Sequence, residues 1–448
     1  MGQPNLDQVA AELRVCARVR PVGRVVGVEA GRVEVAGLGP HATIGDRVRL
    51  CVAGAEPSTG EVVSIDSGHV TVLGDGDLRG LGTKGRVVLL GPDLIAPDDS
   101  WVGRVIDPEG RPLDEGPLLR GLAPRQVIGT APPPAKRRAL GARIATGLAV
   151  FDTILPLVRG QRIGLFAGSG VGKSTLLAQL AQGVEADIIV IALVGERGRE
   201  VRHFIDRVLG PRGMRRAVVV AGTSDKSALE RRRAMLTAMT VAEHFRDAGR
   251  HVLLLADSVT RFAEAHREAA LASGEVASLR GHPPSTPHLI AGLAERAGPG
   301  VDGQGDITAV FSVLVAGSDM EEPVADMMRG VLDGHVVLER EIAERGRFPA
   351  VDVLRSVSRS LPDAATAQEN AMISLARRRL GAYAKSEVMI RAGLYEPGAD
   401  PELDAAVEVW PALDGFVGRS EDRGVAASFE ALAECLAGRS GAPERDSG

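Results

Sequence analysis

The densest chemical pattern in the chain is Ala167-Gly168-Ser169-Gly170-Val171-Gly172-Lys173-Ser174-Thr175. Its glycines let successive backbone N–H groups turn inward on a polyanion, and a helix opening at Lys173 adds partial positive charge. Lys173 is placed to reach the β- and γ-phosphates, and the Ser174 hydroxyl to ligand Mg²⁺. The strict pattern has glycine where Ala167 stands. A Gly/Ser-rich surface turn is the competing reading, and Gly-Lys-Ser-Thr between a strand signal and a helix signal argues against it. The stretch predicts a nucleoside triphosphate site. Two carboxylates belong with it. Asp257 closes the apolar run Val252 to Ala256, at the sheet edge where ligands bind, and there it would complete the Mg²⁺ environment. Glu196 follows the apolar run Ile188 to Val194, in Val194-Gly195-Glu196-Arg197-Gly198-Arg199-Glu200. A carboxylate at that edge can polarise an attacking water, or it can simply meet the dipole of a following helix. Arg359, in Ser356-Val357-Ser358-Arg359, sits where the pattern turns helical, and among 48 arginines composition does not single it out.

These residues need a parallel α/β scaffold, and the pattern from about Ala142 to Leu361 supplies one. Arg162 to Phe166 reads as the strand before the loop, and Leu176 to Leu180 as the helix after it. Buried strands are predicted at Ile188–Val194, Ala217–Ala221, Val252–Ala256 and Thr308–Val315, alternating with helical stretches. Upstream, short strands at Arg24–Glu29, Arg32–Val35, Arg47–Leu50, Glu61–Ile65, His69–Leu73 and Arg86–Leu90 predict a small closed barrel. Residues 93–140 are proline-rich and read as extended connection. Leu6, Val9, Ala10 and Leu13 share one face of a short N-terminal helix, which either packs on its own domain or serves as a partner-binding arm. From Ala364 the period is helical, over Gln368–Ala384, Ser386–Gly393, Asp404–Val409 and Ala426–Leu436. The expected organisation is an amphipathic helix over 1–19, a β-barrel over 20–92 and a linker over 93–141. An α/β nucleotide-binding unit over 142–362, a helical domain over 363–437 and a disordered tail over 438–448 follow.

Composition bounds the function. The 448 residues are 44% hydrophobic and 25% charged, which is globular. A net charge of −5 and 3% aromatic content give no case for a nucleic-acid surface. The three cysteines, Cys16, Cys51 and Cys435, are far apart, without metal-ligand spacing. No charged-then-apolar leader and no long uncharged apolar run stand in the sequence, so a cytoplasmic setting is expected, with any membrane role running through a partner.

The motifs, in this order, resemble those of the flagellar and type III secretion export ATPases, relatives of the rotary ATP synthase catalytic subunit. The resemblance is carried by Gly160 to Ser174, Val194 to Val201 and Leu253-Leu254-Leu255-Ala256-Asp257-Ser258-Val259-Thr260-Arg261-Phe262. Asp319 to Asp326, Leu332-Asp333-Gly334-His335, Phe348-Pro349-Ala350-Val351-Asp352-Val353-Leu354 and the linker motifs Gly103 to Asp107 and Gly110 to Asp114 extend it. It spans roughly residues 20–435, and alanine at Ala167 is usual in that family. Two departures stand in one loop: histidine in Gly281-His282-Pro283-Pro284 where tyrosine is usual, and Glu275-Val276-Ala277 without the usual proline pair. The resemblance implies a RecA-like phosphate-loop core between an N-terminal barrel and a C-terminal helical domain, assembled as a homohexamer with ATP at subunit interfaces. It implies Gly168 to Thr175 as the ATP loop, Ser174 and Asp257 as Mg²⁺ ligands, Glu196 as the water-activating base and Arg359 as a finger reaching the neighbouring site. Phe416, in Gly415-Phe416-Val417, would line the adenine pocket.

The partners so implied are a stator-like regulator at the N-terminal helix and a central stalk protein. Export substrates and chaperones would meet the helical domain, and the ring would sit in the cytoplasm at the inner-membrane base of a secretion apparatus. A virulence-type secretion ATPase and a rotary synthase-like catalytic subunit are the near alternatives. An RNA-translocating hexamer would need a basic or aromatic strand-binding surface, which the net charge of −5 and the 3% aromatic content argue against, and a non-catalytic ring subunit would typically lack Glu196.

Overall fold

A computed structural model of the chain describes residues 6, 9–10, 13, 19–29, 31–52, 54, 56–66, 68–76, 78–315 and 320–438. Strands β1 (Val22–Glu29), β2 (Arg32–Ala36), β3 (Arg47–Cys51), β4 (Ser58–Asp66), β5 (His69–Gly74) and β6 (Arg86–Gly91) close into an antiparallel barrel, ordered β1-β2-β5-β4-β3-β6. Alternation decides which side chains fill it: Val33 and Val35, Val70 and Val72, Val48 and Leu50, and Val87 and Leu89 point inward and are buried, while the residues between them face out. Closure leaves no unpaired edge.

The second unit is built on a nine-stranded sheet. The linker contributes β7 (Leu94–Ile95), β8 (Val105–Ile106) and β9 (Arg125–Gln126); the sheet proper holds β10 (Arg162–Ala167), β11 (Ile188–Val194), β12 (Ala217–Gly222) and β13 (His251–Asp257). Beyond them lie β14 (Gly298–Pro299), β15 (Asp306–Leu314), β16 (Gly334–Leu338) and β17 (Val351–Ser358). Its order is β17-β16-β10-β15-β13-β11-β12-β8, with β14 pairing β15; β17 and β14 are antiparallel to their neighbours and the rest are parallel. The continuous apolar runs follow from burial on both faces. Ile189, Ile191 and Leu193 of β11 pack into the core on one side of the sheet, and Ile188, Val190, Ala192 and Val194 into the core on the other.

The proline-rich linker packs rather than spans. β8 adds a strand to the edge of the sheet, and Trp101, Ile106 and Val127 are buried in the nucleotide-binding unit's core. The barrel is joined to that unit by a 2.6 Å ion pair between Arg232 and Glu61 and by Leu73 packed with Leu229 and Ala269, and the start of the linker by an Arg233–Asp93 pair.

Three helices end the described residues: Ala367–Arg391, Pro401–Val417 and Val425–Leu436. The first is one continuous helix where two segments were expected. Thr366 and Glu369 form a reciprocal cap at its start, and Lys385 between the expected segments is a good helix former. Of the expected N-terminal helix, Leu6, Val9, Ala10 and Leu13 are helical, and Leu6, Val9 and Leu13 are exposed; the rest of it lies outside the described residues. The predicted tail beyond Gly438 also lies outside them.

Candidate functional site

The loop Gly168–Gly172 joins the end of β10 to the helix Lys173–Gly183, so the N–H groups of the helix's first turn, which have no partner within the helix, open toward it. Two glycines are required by conformation: Gly170 and Gly172 hold φ of 79° and 89°, where a side chain would be strained. Val171 is buried and anchors the loop, while Ser169, Gly170, Ser174 and Thr175 are exposed. Above the loop lies a cleft of about 920 Å³, lined by Gly168 to Thr175 apart from Val171, and by Glu196.

The parallel register brings the chemical groups together. β13 lies two strands from β10, across β15, and ends at Asp257, whose side chain is 5% exposed. The Lys173 ammonium pairs directly with the Asp257 carboxylate, and the Ser312 hydroxyl of β15 donates to the same carboxylate oxygen at 2.7 Å. β11, next to β13, ends at Val194 and delivers Glu196 through Gly195, which has φ 72°. Burial pushes the Glu196 carboxyl up to about 7, helped by a hydrogen bond with Glu200 and by the nearby Asp257 charge and opposed by Lys173. Glu200 is held below the ordinary range chiefly by that hydrogen bond, so Glu196 keeps the proton of the pair. A carboxyl poised near neutrality can take a proton from water once it is ionised.

The donor set fits Mg²⁺: the Ser174 hydroxyl and the Asp257 carboxylate are hard oxygen ligands. Among the described residues no group of three or more His, Cys, Asp or Glu could cage an ion. A metal here would therefore draw its remaining oxygens from phosphate and water, as Mg²⁺ does at nucleotide sites.

Two expected residues lie elsewhere. Arg359 follows β17 and is exposed; its guanidinium reaches only the Arg329 carbonyl, at 3.4 Å, and it does not line the cleft of its own chain. Phe416 is 2% exposed inside the core beneath the C-terminal helices. The aromatic ring seated at the loop is Phe348, which is 49% exposed and comes within 3.2 Å of where a side chain on Gly172 would begin. In the sequence Phe348 is one of few aromatics, 3% of the chain, and its place at the loop comes only from the fold. Arg197, Arg231 and Arg261 also line the cleft, three cations that composition hid among the other arginines.

In the loop that departs from the family pattern, Glu275 accepts from the Ser285 N–H at 2.9 Å and from its hydroxyl at 2.7 Å, pinning the loop's base. His282 is half-buried, and burial lowers its pKa.

Comparison with known proteins bears on both units downstream of the barrel. The ATP synthase alpha/beta family, nucleotide-binding domain, matches residues 147–358, and the T3SS EscN ATPase C-terminal domain matches residues 365–434. The flagellum-specific ATP synthase of Caulobacter vibrioides is 46% identical over 344 residues, covering 75% of this chain and 77% of that protein. Among solved structures, the assembled ATPase EscN from the enteropathogenic E. coli type III secretion system aligns with a TM-score of 0.85 at 36% identity, over 92% of this chain and 100% of that one. The same ATPase in complex with its central stalk EscO aligns with a TM-score of 0.83, again at 36% identity and over 92% and 100% of the two chains.

Proposed function

The chain belongs to the family of flagellar and type III secretion ATPases, and from that premise we propose that it hydrolyses ATP with Mg²⁺ to power or prime protein export through a flagellar secretion apparatus. The observation that carries this reading is that Lys173, which opens the helix after the glycine loop, pairs with Asp257 at the end of β13, while Glu196, just beyond the adjacent β11, lines the same cleft. Lys173 and the loop N–H groups bind the phosphates, Ser174 and Asp257 would hold the metal, and Glu196 orients and deprotonates water. Mg²⁺, when bound, neutralises charge on the phosphates.

The working form is a homohexameric ring, and Arg359 of one subunit serves the site of the next. Its exposure, and its distance from the cleft of its own chain, support that role. Phe348 rather than Phe416 faces the adenine, because an adenine stacks on an accessible ring beside the loop and not on a buried one. The central stalk docks with the ring, as the named stalk does with EscN. The N-terminal helix takes a regulatory partner, and substrates and chaperones meet the C-terminal helices. The ring works at the cytoplasmic face of the inner membrane; no helix among the described residues is long and apolar enough to cross one.

A virulence-type secretion ATPase is the second reading. Flagellum-specific ATP synthases at 46–47% identity put the first reading ahead, by one to two points, of the SPI-2 type 3 secretion system ATPase of Salmonella typhimurium, which is 45% identical over 324 residues.

Glu196→Gln tests the chemistry: it should bind ATP normally and lose hydrolysis by about 10²–10⁴-fold, whereas Lys173→Ala should lose both. Normal turnover in Glu196→Gln would remove Glu196 from the reaction.

A further inference from the structure

The parallel register between β10 and β16 pairs Ala167 with Leu338, which sets Arg340 beside Ser169, each two residues further on. Arg340 is the first residue of the short helix Arg340–Glu344, and its guanidinium donates to the Ser169 carbonyl at 3.1 Å. Its backbone N–H donates to the Glu339 carboxylate at 3.0 Å, and that carboxylate pairs with Arg355 at 2.6 Å, so the start of this helix is itself held.

The phosphate loop is tied at both ends by backbone bonds. The Val315 N–H donates to the Ala167 carbonyl at 3.1 Å, and the Leu176 N–H to the Gly172 carbonyl at 3.0 Å. Between those ends, Gly170 has φ 79°, is exposed, and has nothing within 4 Å of where a side chain would begin, so no side-chain packing holds the loop at that residue. The Ser169 carbonyl and the Gly170 N–H belong to one planar trans peptide and point in opposite directions. A cation that holds the carbonyl therefore also aims the N–H.

We propose that Arg340 is a positioning residue for the phosphate loop: by holding the Ser169 carbonyl it turns the Gly170 N–H toward the β-phosphate before nucleotide arrives. The proposal rests on the reading of this loop as the nucleotide site. It deepens that reading by making the loop's geometry depend on the β16–β17 connection, which also carries Phe348. Because the aimed N–H serves bound substrate and transition state alike, its loss weakens ATP binding more than it slows chemistry.

Arg340→Met keeps the length of the side chain and removes its donors; Arg340→Lys keeps a donor. Amide hydrogen exchange over residues 168–172 in nucleotide-free protein, equilibrium binding of a fluorescent ADP analogue, and KM and kcat for ATP are compared with wild type, with thermal unfolding as control. In Arg340→Met, exchange should quicken and ADP binding weaken about 10-fold, the scale of one charge-assisted hydrogen bond. KM should rise by a similar factor, with kcat within about threefold and an unchanged melting temperature. Arg340→Lys should recover most of the loss. Wild-type exchange and binding in Arg340→Met, a fall in kcat at constant KM, or a lysine variant no better than methionine would each overturn the proposal. Failure of wild type itself to bind the analogue would instead overturn the nucleotide reading.

Discussion

On the proposed function the chemistry turns on Glu196, and its ionisation leaves a signature in stability as well as in rate. Its carboxyl titrates at about 7 in the folded protein against an ordinary value of 4.5. Folding therefore favours the protonated form: the stability this contributes is complete below about 4.5 and is lost as pH climbs through 7. In nucleotide-free protein, urea unfolding should show Glu196→Gln gaining on wild type across that window and holding a constant lead above it. A lead that shrinks with rising pH would contradict the burial of this group. The two phenylalanines divide in the same way. Phe348→Ala should raise KM for ATP several-fold and leave the melting temperature alone. Phe416→Ala should cost about 3–5 kcal/mol in stability, as removal of a buried ring does; the reverse pattern would return the adenine to Phe416. Lys173, Asp257 and Glu196 were legible in the sequence because each sits in a local pattern, a glycine loop or the end of an apolar strand. Phe348 and Arg340 were not, because each matters only through a fold-back contact with a loop more than 160 residues earlier.

At the scale of elements, periodicity announced the barrel and the buried strands, since alternation and continuous apolar runs report burial on one face or two. The linker was harder: proline content says extended, but not that Val105–Ile106 will extend the sheet or that Trp101 will be buried beneath it. The segment between β16 and β17 ties the site to the C-terminal helices as well as to the loop. Arg345 pairs with Glu387 at 3.2 Å and Arg347 with Asp414 at 3.0 Å, on the first and second of those helices. Leu6 and Leu13, by contrast, are 87% and 68% exposed, apolar residues left largely to solvent among the described residues. Deleting residues 1–18 should therefore leave the melting temperature and basal ATPase activity unchanged while abolishing capture of a regulatory partner. Precipitation, or a melting temperature several degrees lower, would show that the helix is core.

For the whole molecule, the proposed function requires that one chain hold only part of a catalytic site. Lys173, Ser174 and Glu196 line the cleft and Asp257 pairs with Lys173, while Arg359 stands outside the cleft on the edge formed by β17. A cation supplied by a neighbour is worth about 10³–10⁵ in rate for arginine fingers in general. Arg359→Ala should accordingly bind ATP almost normally and turn over very slowly. The most direct measurement is phosphate release by mixed rings of Arg359→Ala and Lys173→Ala subunits, with ring assembly and subunit exchange verified by mass. Activity should reappear in the mixture, because some interfaces then join an intact loop to an intact finger. Verified mixed rings that stay inactive, or full concentration-independent turnover by a demonstrated monomer, would contradict a site completed between subunits.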